Sequence, residues 1–169
     1  MKQRILVAGI GNIFLGDDAF GVEVARLLES RQLPPEVRVH DFGIRSFDLA
    51  YALLDDWEAV ILVDAVSRGD APGTLYTMEV NPSQIVDESF ATPNFDAHTM
   101  EPLSVMRLAM SMGEVKARLY VVGCEPADLG GEEGRMGLTD VVEAAVAEAA
   151  NMVEELAGRL LRETPALQS

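Results

Sequence analysis

Four side chains that can hold a cation are spread along this chain at positions a fold could bring together. Asp17 and Asp18 follow the glycine turn in "RILVAGIGNIFLGDDAFGVEVARLL", and Asp64 interrupts the apolar run "AVILVDAV". His98, one of two histidines, closes the stretch "NPSQIVDESFATPNFDAH" (81–98). A glycine turn between a strand and a helix ordinarily cradles an anion, because the helix N-terminus offers N–H groups and the positive end of its dipole. Two carboxylates there would repel an anion, so the turn is read as built for a cation. Asp64 follows four apolar residues, where a charge is costly unless it is hydrogen-bonded, paired or bound to a cation. Its alternative role is a cap for the next turn. His98 stands before Thr99, an expected N-cap with Pro102 tolerated in the first helical turn. Its alternative is a surface or capping residue. His40 lies inside a strand beside Asp41 and is read as structural or peripheral.

These residues need a frame that makes them converge, and the hydrophobic periodicity supplies one. Short β-branched or apolar runs bounded by turn residues lie at 4–10, 36–42, 59–66, 73–80 and 117–124. Between them are helical stripes: Phe20, Val24, Leu27 and Leu28; "FDLAYALL" (47–54); "PLSVMRLAMSM" (102–112); and Val142, Ala145, Val146, Ala149, Val153, Leu156 and Leu160. Strand and helix in alternation imply parallel crossovers, hence an α/β fold with three α/β/α layers and a mostly parallel, twisted five-stranded sheet. The run at 73–80 follows its predecessor after "SRGDAPG", too short for a crossover helix, and is read as an antiparallel edge strand. In such a sheet ligands bind beyond the C-terminal strand ends, where strand order reverses. With the order 2-1-3 that point lies between the first and third strands, which end at Asp17 and Asp18 and at Asp64. Segment 81–98 has no clear periodicity, and a long stretch of that kind inside a domain is more often functional than filler.

Composition removes several classes of partner. The 169 residues, 49% hydrophobic and 24% charged, suit one domain, expected over 1–162 with a frayed tail at 163–169. Thirteen Lys and Arg against 28 Asp and Glu give a formal charge of -15, which repels nucleic acid and anionic membrane surfaces. No run is long enough to span a bilayer and no secretory leader is recognisable, so a cytoplasmic protein is expected. The single cysteine, Cys124, excludes an internal disulfide and any multi-cysteine zinc site, and its setting "RLYVVGC" reads as a half-buried structural thiol.

Other machineries lack their motifs. There is no G-x-S-x-G elbow, no H-E-x-x-H helix and no evident histidine partner for the cysteine. A dinucleotide fingerprint needs a glycine where Phe14 stands, although Asp41 occupies the place of a ribose-binding acid. A non-enzymatic nucleotide-binding or metal-delivery module is the alternative reading. Few histidines and cysteines argue against tight capture of a free metal ion.

"GIGN" followed by "GDDAFG", the "DA" after an apolar strand, the isolated histidine ahead of a helix, "DFGIRSFDLAYALL" and "VVGCEP" together resemble the hydrogenase maturation proteases. The resemblance runs from Arg4 to about Leu160. It implies an endopeptidase that trims the C-terminal extension from the large-subunit precursor of a nickel-iron hydrogenase once nickel has been inserted. It places the metal-coordinating acids on Asp18 and Asp64 and the histidine on His98, which would also carry the catalysis. Nickel is then supplied by the substrate and serves as the recognition signal. Zinc or cadmium is expected to substitute in the isolated protein, because imidazole plus carboxylates suits such ions and leaves coordination positions open. Asp17, and Gly43 and Arg45 of the "DFGIR" loop, are expected to grip the substrate peptide. Two departures stand out: Asp18 replaces a frequent glutamate, and Ala19 a frequent glycine. Neither removes a ligand type.

Overall fold

The computed structural model describes residues 3–81 and 102–163. Five strands, β1 (Ile5–Ile10), β2 (Val37–Gly43), β3 (Ala59–Ala65), β4 (Leu75–Val80) and β5 (Arg118–Cys124), form one sheet in the order β2-β1-β3-β5-β4. All pairings are parallel except β4 with β5, which is antiparallel, as the short turn before β4 requires. Among the described residues the helices are α1 (Phe20–Glu29), α2 (Ser46–Leu53), α3 (Pro102–Met112), α4 (Asp140–Glu143) and α5 (Val146–Glu163), with a 3-10 turn at Gly16–Ala19 before α1.

The central strands are apolar on both sides because helices cover both faces. On one face Val7, Ile61, Val63 and Val122 pack against Phe20, Val24 and Leu28 of α1 and Val153, Leu156 and Leu160 of α5. On the other, Leu6, Ala8, Leu62 and Val121 pack against Leu49 and Leu53 of α2 and Val105, Met106 and Ala109 of α3. Side chains as fully buried as Phe20 and Leu28 contribute about 1.5–3 kcal/mol each relative to exposure. The edge strands β2 and β4 are only partly covered, and both mix polar with apolar residues.

The stripe from Val142 to Leu160 is not one helix. An i to i+3 hydrogen bond from the Ala145 N–H to the Val142 carbonyl (3.0 Å) ends α4, and α5 restarts one residue later. Both segments keep their apolar side on the sheet. The last helix also reaches Glu163, one residue into the segment expected to be frayed.

Candidate active site

Strand order reverses between β1 and β3, since α1 leaves β1 on one face and α2 returns to β3 on the other. Gly21 fixes how closely α1 approaches that point. A Cβ there would overlap the carbonyl oxygens of Val63 and Ile10, so only glycine lets the helix rest on the ends of both strands. The 3-10 turn ahead of it packs against β3 and holds Asp17 and Asp18 at the head of the crevice.

The glycine turn has already used the N–H groups that an anion would need. Gly11 N–H donates to the Gly43 carbonyl (3.0 Å), Asn12 N–H to Asp18 Oδ2 (2.9 Å) and Phe14 N–H to Asn12 Oδ1 (2.9 Å). Those of Leu15, Gly16, Asp17 and Asp18 donate to the carbonyls of Asn12, Arg135, Asp128 and Leu15. A pyrophosphate would meet bonded donors and a carboxylate, which counts against the dinucleotide alternative.

The two adjacent aspartates differ sharply. Asp18 is half-buried at the crevice; burial pushes its carboxyl above the ordinary carboxylate value, and the Asn12 N–H offsets this only in part. Asp17 is fully buried and points the other way. Its Oδ2 accepts the N–H groups of Ala127 (2.8 Å) and Asp128 (3.0 Å), and its Oδ1 accepts the Thr139 N–H (2.7 Å). The Thr139 hydroxyl reaches both oxygens, at 3.0 and 2.9 Å. Burial alone would raise this carboxyl, but those hydrogen bonds outweigh it and hold Asp17 below the usual range. Asp17, expected from the sequence to grip the substrate peptide, here ties down both ends of loop 125–139. A buried carboxylate needs internal donors, and that loop supplies them.

Asp64 lies near the C-terminal end of β3, 2% exposed, with Oδ1 accepting the N–H of Ala65 (2.8 Å). That bond is the local, cap-like role weighed above. Its neighbour across the sheet is Gly123 of β5. Asp18 and Asp64 thus belong to the two strand ends that border the crevice. His98 and Thr99 lie outside the described residues, and among the described residues no three His, Cys, Asp or Glu side chains converge on one point.

The "DFGIR" loop closes the β2 side. Gly43 has φ +56°, its N–H donates to Asp41 Oδ1 (2.8 Å), and this turn delivers its carbonyl to Gly11. Asp41 is thereby a turn-forming residue. Arg45 is exposed, but its guanidinium already donates to the Asp41 carbonyl (2.6 Å) and the Phe42 carbonyl (3.1 Å), so it braces the loop before it meets any ligand. Beside it Ile44, Phe47 and Tyr51 are each more than 60% exposed, an apolar stripe on the outer side of α2. Their i, i+3, i+7 spacing carries the signal, obscured because α2 is apolar on its buried side as well. His40 sits on edge strand β2 in edge contact with Phe42, ring centroids 4.4 Å apart, away from the crevice. Cys124 is fully rather than half buried, and burial pushes its thiol up to about 12, which makes it inert.

A sequence model for the family described as hydrogenase maturation protease matches residues 22–156. The chain belongs to the hydrogenase maturation protease family. It is 32% identical over 152 residues to the hydrogenase 2 maturation protease of Escherichia coli, covering 89% of this chain and 88% of that one. It is 35% identical over 150 residues to the hydrogenase expression/formation protein HupD of Rhodobacter capsulatus, covering 87% of this chain and 70% of the relative. The solved structure of the hydrogenase maturating endopeptidase HybD from E. coli superposes with a TM-score of 0.74 at 33% identity, covering 96% of this chain and 94% of that one. This hydrogenase maturation protease is accordingly an endopeptidase, on the mostly parallel α/β fold with one antiparallel edge strand that the sequence led us to expect. Among its described residues no helix is long and apolar enough to cross a membrane.

Proposed function

We propose that this endopeptidase removes the C-terminal extension of a nickel-iron hydrogenase large-subunit precursor after nickel insertion, reading the substrate's own nickel as the signal to cut. The observation that supports this most directly is the state of the glycine turn: the N–H groups of Gly11, Asn12, Phe14, Leu15, Gly16, Asp17 and Asp18 are bonded within the protein, and Asp18 stands at its mouth with a carboxyl raised by burial. A carboxylate held at such cost favours a cation over water. Asp64 from the neighbouring strand and His98 would complete a mixed carboxylate and imidazole set for an ion brought in by the precursor. That set suits nickel, with zinc or cadmium as substitutes. Three protein ligands leave positions open for the precursor's own ligands. An ion so held supplies Lewis-acid polarisation of the scissile carbonyl or of a water.

The same residues explain why the site should wait for the ion. Burial raises the Asp18 carboxyl, and a second carboxylate from Asp64 brought close to it would add to the cost of charging both unless a cation lay between them. Gly43, Arg45 and the apolar stripe of Ile44, Phe47 and Tyr51 flank the crevice and offer a surface for the precursor, since an exposed apolar patch of that kind marks contact sites. The deciding experiment mixes the purified protein with nickel-loaded and nickel-free large-subunit precursor and follows intact mass. Cutting of the loaded form alone is the expected result. Equal cutting of both forms would remove nickel as the signal, and cutting of neither would overturn the assignment.

A further inference from the structure

Three strands meet in register beside the candidate centre. Asp64 of β3 is opposite Gly123 of β5, and Gly123 is opposite Tyr76 of β4. Residues paired across neighbouring strands point to the same face, so these three positions form a row on one side of the sheet. The middle position has no side chain, and the tip of Tyr76 fills the space. A Cβ on Gly123 would overlap Cζ, Oη and Cε1 of the tyrosine. The ring therefore lies across β5, with its hydroxyl about one strand spacing, roughly 4.8 Å, from the Asp64 strand.

The tyrosine is held in that pose from above. The Arg68 guanidinium carbon sits 4.1 Å from the ring centroid, so the ring lies between a cation and the glycine backbone. Arg68 owes its position to Glu125, a 7% exposed carboxylate whose Oε1 accepts the N–H of Arg68 (2.8 Å) and of Asp70 (3.2 Å). Backbone bonds from Gly73 to the Glu125 carbonyl (2.8 Å) and from Glu125 to the Thr74 carbonyl (2.9 Å) fasten the far end of the turn. A buried acid, a clamped turn, a stacked guanidinium and a bare glycine thus cooperate to hold one hydroxyl over β5, in the same row as Asp64.

Resting on the proposed function, we propose that Tyr76 belongs to the reaction centre, its hydroxyl donating a hydrogen bond to the scissile carbonyl oxygen of the precursor as negative charge builds on it. The reaction is hydrolysis. Water adds to the carbonyl carbon, the carbon–nitrogen bond breaks, and the departing nitrogen takes the proton that water supplies. Tyr76 keeps its own proton throughout. A phenol keeps its proton at neutral pH, which is what a hydrogen-bond donor in this role needs; the Arg68 side chain, besides stacking on the ring, hydrogen-bonds to the same hydroxyl and helps fix its position. A donor fixed beforehand at the place where charge develops acts on the transition state more than on substrate binding.

The test is Tyr76→Phe, which keeps the ring and its stacking and removes only the hydroxyl, assayed on nickel-loaded large-subunit precursor. Expected is a fall in kcat of about 100-fold, the range for loss of one oxyanion donor, with KM within about twofold and an unchanged melting temperature. Gly123→Ala, which displaces the ring tip, is expected to lower kcat similarly, and adding it to Tyr76→Phe should cause little further loss. A Tyr76→Phe enzyme with wild-type kcat overturns the role of Tyr76 while leaving the protease assignment intact. So does a variant that changes only KM. A wild type that cuts no loaded precursor overturns the assignment itself, and the role of Tyr76 with it.

Discussion

Asp17 and Asp18 are consecutive, of one type and in one turn, yet the regions they serve have little in common. On the Asp17 side a fully buried carboxylate gathers donors from Ala127, Asp128 and Thr139 and fastens loop 125–139 to the head of α1. On the Asp18 side a half-buried carboxylate accepts a single backbone bond and faces the crevice between β1 and β3. Their carboxyl affinities for the proton shift in opposite directions from the same starting value. Burial raises both; the number of hydrogen-bond donors decides which ends low. The two sides are linked, because Asp17 fixes the turn from which Asp18 is presented.

The strongest way to break this contrast is Asp17→Ala. It strips the acceptor from three backbone N–H groups, each costing about 1–3 kcal/mol if left unsatisfied, and we expect a loss of about 3–5 kcal/mol in urea denaturation. A loss below 1 kcal/mol would mean that water satisfies the loop as well as the carboxylate does.

Acid titration sharpens the same point. The folded carboxyl of Asp17 lies below the unfolded value of about 3.9, so the unfolded chain binds the proton more readily and stability rises with pH across that range. Its contribution is complete above the unfolded value and disappears as pH falls through the folded one. Wild type should therefore lose stability below about pH 4 more steeply than Asp17→Asn does.

Asp18 carries the opposite sign. Its folded carboxyl lies above the unfolded value, so the charged form weakens the fold at neutral pH and the penalty vanishes once pH drops below the unfolded value. Asp18→Asn and Asp64→Asn are expected to keep or raise the unfolding free energy at pH 7, by no more than about 1 kcal/mol, while losing cleavage of nickel-loaded precursor. For Asp18→Asn the gain should fade below about pH 4. If Asp64→Asn unfolds the protein, its bond to the Ala65 N–H is structural and the cap reading prevails.

The smallest expected effect is His40→Ala. Its ring contact with Phe42 on an edge strand is worth about 0.5–1 kcal/mol, and cleavage should be unchanged. His98→Ala, in contrast, should abolish cleavage. The reverse pattern would place the site on the wrong histidine.

The five strands, the parallel order about β1 and the antiparallel β4 were legible because periodicity and connection length are local properties of the chain. The switch point between β1 and β3 follows from the same topology, and the turn that fills it contains two carboxylates. Which of those carboxylates is enclosed and which is left half-buried was not a local property. The family resemblance favoured Asp18, but nothing within "GDDAFG" reveals that donors more than a hundred residues away, at Ala127, Asp128 and Thr139, would enclose Asp17. The split between Val142 and Leu160 escaped for a related reason: the apolar stripe continues through it, and one short backbone bond at Ala145 makes the break. The row Asp64, Gly123 and Tyr76 exists only through strand register, which sequence spacing does not encode. Sequence alone determined which residue types were available and which strand ends would carry them. Tertiary structure decided which charges were satisfied, because hydrogen-bond donors for a buried group come from whatever the fold brings within about 3 Å.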